Sequence, residues 1–239
     1  MRCAGVWISV SALCVTACVS RPPTIAHVHV GHALTAVPST PNHVGYLAQA
    51  ESRAREAIDM AQRAGASGDL PQMKKYVASA AEATDSPDGF GVKQALALAA
   101  DHVSFAATSA DASTNLHQSA PVFVSHTARV LERCSLIRLL ADDVAASTSV
   151  PEAQISIAEI RKLAQANLTG DVDASGAVGS SSAQYGLAQI RSELESITSR
   201  ENPPYVTVDR WYLLNLVRLP SGKWIFDRLR RTDSMEGYK

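Results

Sequence analysis

The stretch LAQAESRAREAIDMA, residues 47–61, decides the fold class of this chain. Its apolar residues recur three and four positions apart, the spacing that places side chains on one face of an α-helix. Glu51–Arg55 and Asp59–Arg63 are acid-before-base pairs four positions apart, which stabilise an exposed helix surface. Most of the apolar face is alanine, and small side chains let helix axes approach closely. The stretch therefore predicts one helix of a closely packed bundle, whose buried face is formed by Leu47, Ala50, Ala54, Ile58 and Ala61.

The same periodicity recurs in five further segments, so we expect an antiparallel helical bundle over residues 44–204. Asp69 is placed to cap the second helix, with Pro71 in its first turn and Gln72 at the capping-box position. The run Ser149-Val150-Pro151-Glu152 predicts another capping box. The other three helices are predicted from the apolar sets Val92, Ala95, Ala99, Val103 and Ala106; Phe123, Val130, Cys134, Ile137 and Val144, with Pro121 at a start or a kink; and Leu187, Ile190, Leu194 and Ile197.

The composition changes near Asn202-Pro203-Pro204, where the helical period ends. The run VTVDRWYLLNLVRL, residues 206–219, is rich in β-branched and aromatic residues, and KWIF follows the turn sequence Pro220-Ser221-Gly222. This pattern predicts a β-hairpin over residues 206–229 within a basic carboxyl-terminal segment, residues 205–239. A two-stranded ribbon is marginally stable alone, so we expect it to pack on the bundle, on another strand or on a partner.

The amino terminus has the features of a secretory signal: Arg2, then an uncharged and mostly apolar stretch over residues 3–17. It ends in Val15-Thr16-Ala17-Cys18, which resembles the lipobox of bacterial lipoproteins. The resemblance implies that residues 1–17 are removed, that Cys18 is lipidated, and that the protein is anchored on the periplasmic side of a membrane. Val19 follows the cysteine, where the family's inner-membrane retention signal is Asp, so the resemblance favours the outer membrane. The alternative is an ordinary cleaved signal in which Cys18 is incidental.

The remaining cysteine of a mature chain, Cys134, lies on a predicted apolar helix face. Cys3 and Cys14 would leave with the signal, and Cys18 would carry the lipid. No internal disulfide is then expected in spite of an oxidising compartment. We expect Cys134 to be buried and unreactive.

The segment between the signal and the bundle, residues 18–43, contains the sequence His27-x-His29-x-x-His32. We expect a tether followed by a short strand over residues 25–30, with His27 and His29 on one face and His32 close by. The sequence leaves open whether this strand pairs with the carboxyl-terminal hairpin. Three imidazoles suit zinc or copper, so His27, His29 and His32 are the predicted metal ligands. His102, His117 and His126 are further candidates that spacing alone cannot bring together; the alternative is a set of solvated or hydrogen-bonded histidines.

A second candidate site lies in residues 171–182, of which residues 171–178 resemble the first two-thirds of an EF-hand calcium loop. Asp171, Asp173 and Ser175 occupy the first three ligand positions, and Gly176 occupies the sixth position. Ser182 stands where the family has a bidentate Glu. The resemblance therefore implies at most very weak calcium binding, and the alternative is a turn in which Asp side chains bond the backbone.

Composition and motifs together favour a binding role over catalysis. The formal net charge is −1, which does not favour nucleic-acid binding. No haem-attachment motif, nucleophile elbow, phosphate loop or His-Glu-x-x-His motif occurs. We therefore expect a non-enzymatic, membrane-anchored lipoprotein that binds a transition metal. The alternatives are an interaction lipoprotein, whose hairpin with Arg228, Arg230 and Arg231 docks a protein partner or anionic lipid headgroups, and an enzyme with dispersed catalytic residues.

Overall fold

The computed structural model describes residues 24–41, 43–87, 89–171, 185–201, 209–211, 216–218 and 224–226. This part of the chain is mainly helical, as predicted. Its seven helices are α1 (Ile25–Leu34), α2 (Tyr46–Ala66), α3 (Leu70–Thr84), α4 (Val92–Thr108), α5 (Thr114–Ala146), α6 (Val150–Thr169) and α7 (Leu187–Ser199).

Two hydrophobic cores lie within the helical part. The first core joins α1, α4 and α7 to the amino-terminal halves of α2 and α5. The second core joins α3 and α6 to the carboxyl-terminal halves of the same two helices. The long helices α2 and α5 therefore connect the two cores. Among the described helices, none has a stretch long and apolar enough to cross a membrane.

All six helices predicted between residues 44 and 204 are present, and one of the two predicted helix caps is confirmed. The Asp69 side chain accepts a hydrogen bond from the Gln72 amide at the start of α3, as predicted. The predicted capping box at Ser149 is wrong, because the Ser149 side chain makes no cap bond and Glu152 instead accepts from the Thr148 amide. Pro121 lies inside α5, which begins seven residues earlier.

The predicted strand over residues 25–30 is wrong, because this segment is the helix α1. Valines 28 and 30 favour a strand locally. The helix prevails because Ala26, Val30, Ala33 and Leu34 recur at helical spacing and are buried in the first core. Because this segment is a helix, it does not pair as a strand with the carboxyl-terminal strands, a pairing that the sequence had left open.

Three short strands are described in the carboxyl-terminal segment: β1 (Asp209–Trp211), β2 (Leu216–Arg218) and β3 (Trp224–Phe226). They pair antiparallel in the order β1-β2-β3, with Arg210 opposite Val217 and Val217 opposite Ile225. The predicted turn at 220–222 and the basic tail lie outside the described residues, so the hairpin over 206–229 as a whole stays a prediction. The signal, the lipobox and Cys18 lie outside them too.

A candidate three-histidine metal centre

The site begins with the capping of α1, which fixes two histidines on one helix face. The Thr24 side chain accepts from the His27 amide, and both Asp111 carboxylate oxygens accept from the amides of Ile25 and Ala26, at 2.6 and 3.1 Å. These bonds satisfy the free amides of the first turn. His29 and His32 are three residues apart, and in a helix such residues share one face. Residues two apart, such as His27 and His29, do not share a face in a helix.

The third histidine, His102, comes from α4, which packs antiparallel to α1. The direction follows from two contacts: His32 lies beside His102, and Ile25, which precedes His32, lies beside Asp111, which follows His102 by nine residues. This register places His102 between His29 and His32, so residues 70 and more positions apart in sequence form one cluster.

The three imidazoles converge closely enough to hold one metal ion. The Nδ1 atoms of His29 and His102 are 3.0 Å apart. One potential ligand atom from each of the three rings lies within 4.8 Å of the other two. A tetrahedral zinc with bonds of about 2.0–2.1 Å would hold its nitrogens about 3.3–3.4 Å apart, so binding needs side-chain adjustment of about 1.5 Å or less. Among the residues that the structure describes, this is the one group of its kind.

Two aromatic rings flank the cluster, one buried and one exposed. The Tyr46 ring lies 5.2 Å from the His102 ring and is buried, and its hydroxyl group is 3.2 Å from Ser39 Oγ. The Phe105 ring lies 5.8 Å from the His29 ring and is 57% exposed. The three histidines themselves are half-buried, so the cluster borders the core on one side and solvent on the other.

Burial also sets the protonation state of His102. Burial and, after it, the nearby His29 lower the pKa of His102, Asp101 opposes them, and together they bring this pKa to about 4. His102 is therefore neutral at pH 7, which is the form that ligates a metal.

No protein-family model matches this chain, and no curated protein or solved structure matches it either. The interpretation of the site therefore depends on its own geometry and chemistry.

The structure brings together two of the three predicted ligands, His29 and His32, and adds His102. His27 lies apart from this cluster: its Nδ1 is 3.5 Å from Thr24 Oγ1, and burial lowers its pKa while Glu201 and Asp111 partly raise it. His126 is paired with Glu193 at 2.7 Å. His117 is exposed on α5. The helical spacing of Ala26, Val30 and Ala33 was the signal that could have placed His29 and His32 on a helix.

Of the calcium-like loop, the structure describes only its first residue. The Asp171 carboxylate accepts from Arg133 Nη2 at 2.6 Å, and the Arg133 side chain is fully buried on α5. Arg133 also donates to the Tyr185 carbonyl, so it links both ends of the segment between α6 and α7. Asp171 thus has a structural partner that a calcium ion would have to displace. Asp173, Ser175 and Ser182 lie outside the described residues.

Cys134 is buried in the first core, as predicted. Burial raises the pKa of its thiol to about 12, which keeps it protonated and unreactive. Its sulfur accepts a hydrogen bond from the side-chain amide of Asn167. Cys134 is therefore a structural residue and takes no part in the candidate centre.

Proposed function

We propose that this protein is a metal-binding lipoprotein that holds one zinc or copper ion with His29, His32 and His102. The observation that carries the proposal is the convergence of three imidazoles from two helices, with ligand atoms within 4.8 Å of one another. The proposed role is to bind the ion at a membrane surface, without catalysing a reaction.

The donor set decides between classes of metal. Imidazole nitrogens suit zinc, copper, iron and nickel, whereas calcium and magnesium take oxygen ligands. Copper binds a given nitrogen site more tightly than zinc does, so which ion the protein carries depends on the metal available in its compartment. Zinc and copper are the two ions to test first.

The second part of the proposal is anchoring through Cys18 at the periplasmic side of the outer membrane. Its support is the lipobox-like sequence Val15-Thr16-Ala17-Cys18 and the valine that follows. Several acyl chains on one cysteine give stable anchoring, because two or more hydrocarbon chains are enough. Cys18→Ser should therefore release the protein from the membrane fraction, and an unchanged membrane fraction would contradict anchoring at this residue.

Elemental analysis tests the metal site directly. The protein is purified without a histidine tag, stripped with a chelator, reloaded with zinc or copper, and separated from free metal. We expect about one ion per chain, and none above background in the double variant His29→Ala/His32→Ala. His117→Ala is the matched control, because His117 is an exposed histidine outside the cluster. Equal metal content in the double variant and the control would overturn the proposal.

A further inference from the structure

The histidine cluster supplies fewer ligands than a tetrahedral metal needs. Structural zinc sites are closed by four protein ligands, whereas sites with three protein ligands keep a position for an exchangeable group. In the part of the chain that the structure describes, no cysteine, carboxylate or further histidine joins His29, His32 and His102. A metal held by these three residues would thus have one position that no described residue fills.

The charge of the site favours an anion at that position. Three neutral imidazoles leave the full double charge of the metal uncompensated. Asp101 is a negative charge near His102, since it raises the pKa of His102. It is exposed, however, and does not belong to the cluster. Because the histidines are half-buried, the attraction between the ion and an anionic ligand is screened less than in open water.

The surroundings of the cluster indicate where such a ligand would enter. Tyr46, beside His102, is buried and closes the interior side. Phe105, beside His29 and His102, is more than half exposed and borders the solvent side. Among the described residues, the exposed ring of Phe105 therefore marks the side of the cluster that faces solvent.

We infer that the metal held by His29, His32 and His102 keeps an exchangeable fourth position, which takes water or a small monodentate anion from solution. This inference rests on the proposed function, since it concerns the same metal. The ligand class is that of hydroxide, halide, azide and simple carboxylates. A site of this kind releases and exchanges its outer ligand, in contrast to a closed structural centre.

Cobalt(II) substitution tests the inference, because the visible absorption of bound cobalt depends on its ligands and its coordination number. The purified protein is loaded with one equivalent of cobalt and titrated with sodium azide, while sodium perchlorate keeps the ionic strength constant. We expect a saturable spectral change that fits one azide per cobalt. His102→Ala should lack the visible bands of the bound ion, and His117→Ala should behave as the unmodified protein does.

The possible failures are distinguishable. Cobalt that binds, but whose spectrum azide leaves unchanged, would show that another ligand fills the fourth position; the inference would then fail while the proposed function stands. A chain that takes up neither cobalt, zinc nor copper would overturn both. A spectral change that is linear and unsaturated, and equal in His102→Ala, would also overturn the inference, because it would arise from cobalt outside the cluster.

Discussion

The first and second cores share the helices α2 and α5 but differ in what the other helices add. In the second core, α3 and α6 contribute aliphatic residues and alanines. In the first core, α1 and α4 contribute a similar apolar face and, at its border, three converging histidines. The first core also adjoins the buried Glu201, which accepts hydrogen bonds from Ser113 and Asn115. Among the described residues, the three-histidine cluster therefore lies at the border of the first core, and the second core has no such group.

The largest effect is expected from a cavity in the second core. Ile157 is fully buried on α6, so Ile157→Ala should lower the free energy of unfolding by about 2–5 kcal/mol. At a temperature where the variant is folded, its zinc affinity should be unchanged, because the histidines lie in the other core. Chemical denaturation and a zinc titration measure the two quantities.

Ile155→Ala is the matched control, since Ile155 is on the same helix and is 76% exposed. Its unfolding free energy should change by about 0.5 kcal/mol or less. A large loss of zinc affinity in Ile157→Ala would contradict the separation of roles between the cores.

Metal binding should stabilise both cores together, because α2 and α5 run through both. Zinc at about 100 times its Kd adds about 2.7 kcal/mol to the native state. For a chain of this length that corresponds to a Tm increase of about 5–11 °C, visible by calorimetry as the shift of one transition. His102→Ala should lose the shift, and His117→Ala should keep it. Two transitions, of which zinc moves only one, would show that the cores unfold independently.

Removing one helix cap beside each core should have a smaller effect on stability, and only one of the two caps should affect zinc binding. Asp111 caps α1 beside the first core, and Asp69 caps α3 in the second core. Replacing either with Ala should cost about 0.5–2 kcal/mol. Only Asp111→Ala should also weaken zinc binding, because α1 carries two of the three ligands. Equal zinc affinities in both variants would contradict the role of Asp111 in positioning α1.

The Asp111 cap also predicts a dependence on pH. Burial would raise the pKa of Asp111, but hydrogen bonds from the amides of Ile25 and Ala26 outweigh it, so the pKa in the folded state is lowered. The stabilisation is complete above the unfolded carboxyl pKa of about 3.9 and is lost as the pH falls through the lower folded value. Acid unfolding curves of Asp111→Ala should therefore converge with those of the unmodified protein below this range.

The smallest expected effect is that of calcium. Asp171 is paired with Arg133, and Ser182 provides no bidentate carboxylate, so calcium at about 1 mM should leave the Tm unchanged. Asp171→Ala should lower the Tm without calcium, since it removes the carboxylate that pairs with the buried Arg133 guanidinium. A clear increase in Tm at about 0.1 mM calcium, absent in Asp171→Ala, would identify the loop as a calcium site.

The helices α2 to α7 were predictable because the sequence patterns that define them are local. Apolar spacing and the cap at Asp69 are properties of adjacent residues, and six helices followed from them. The cap at Asp111 was not predictable, since it joins residues 85 and 86 positions apart. The prediction of a strand over residues 25–30 was wrong for the same reason: its valines favour a strand locally, and burial against α4 favours a helix.

The candidate site was predictable in part. The cluster of histidines at 27–32 indicated imidazole ligands, and His102 was one of three scattered candidates. Which histidines converge depends on the period of the segment and on the register between α1 and α4. In a strand, where side chains alternate, His27 and His29 would share a face. In the helix, His29 and His32 share a face, and the packing of α4 against α1 brings His102 beside them.

Titration calorimetry of zinc into His27→Ala and His102→Ala measures which histidines hold the ion. We predict that His27→Ala keeps one zinc site with an affinity within about threefold of the unmodified protein. His102→Ala should lose at least about 100-fold, since even the loss of a group behind a ligand costs 10–100-fold. The opposite result, in which His27→Ala loses the site and His102→Ala keeps it, would contradict the cluster of His29, His32 and His102.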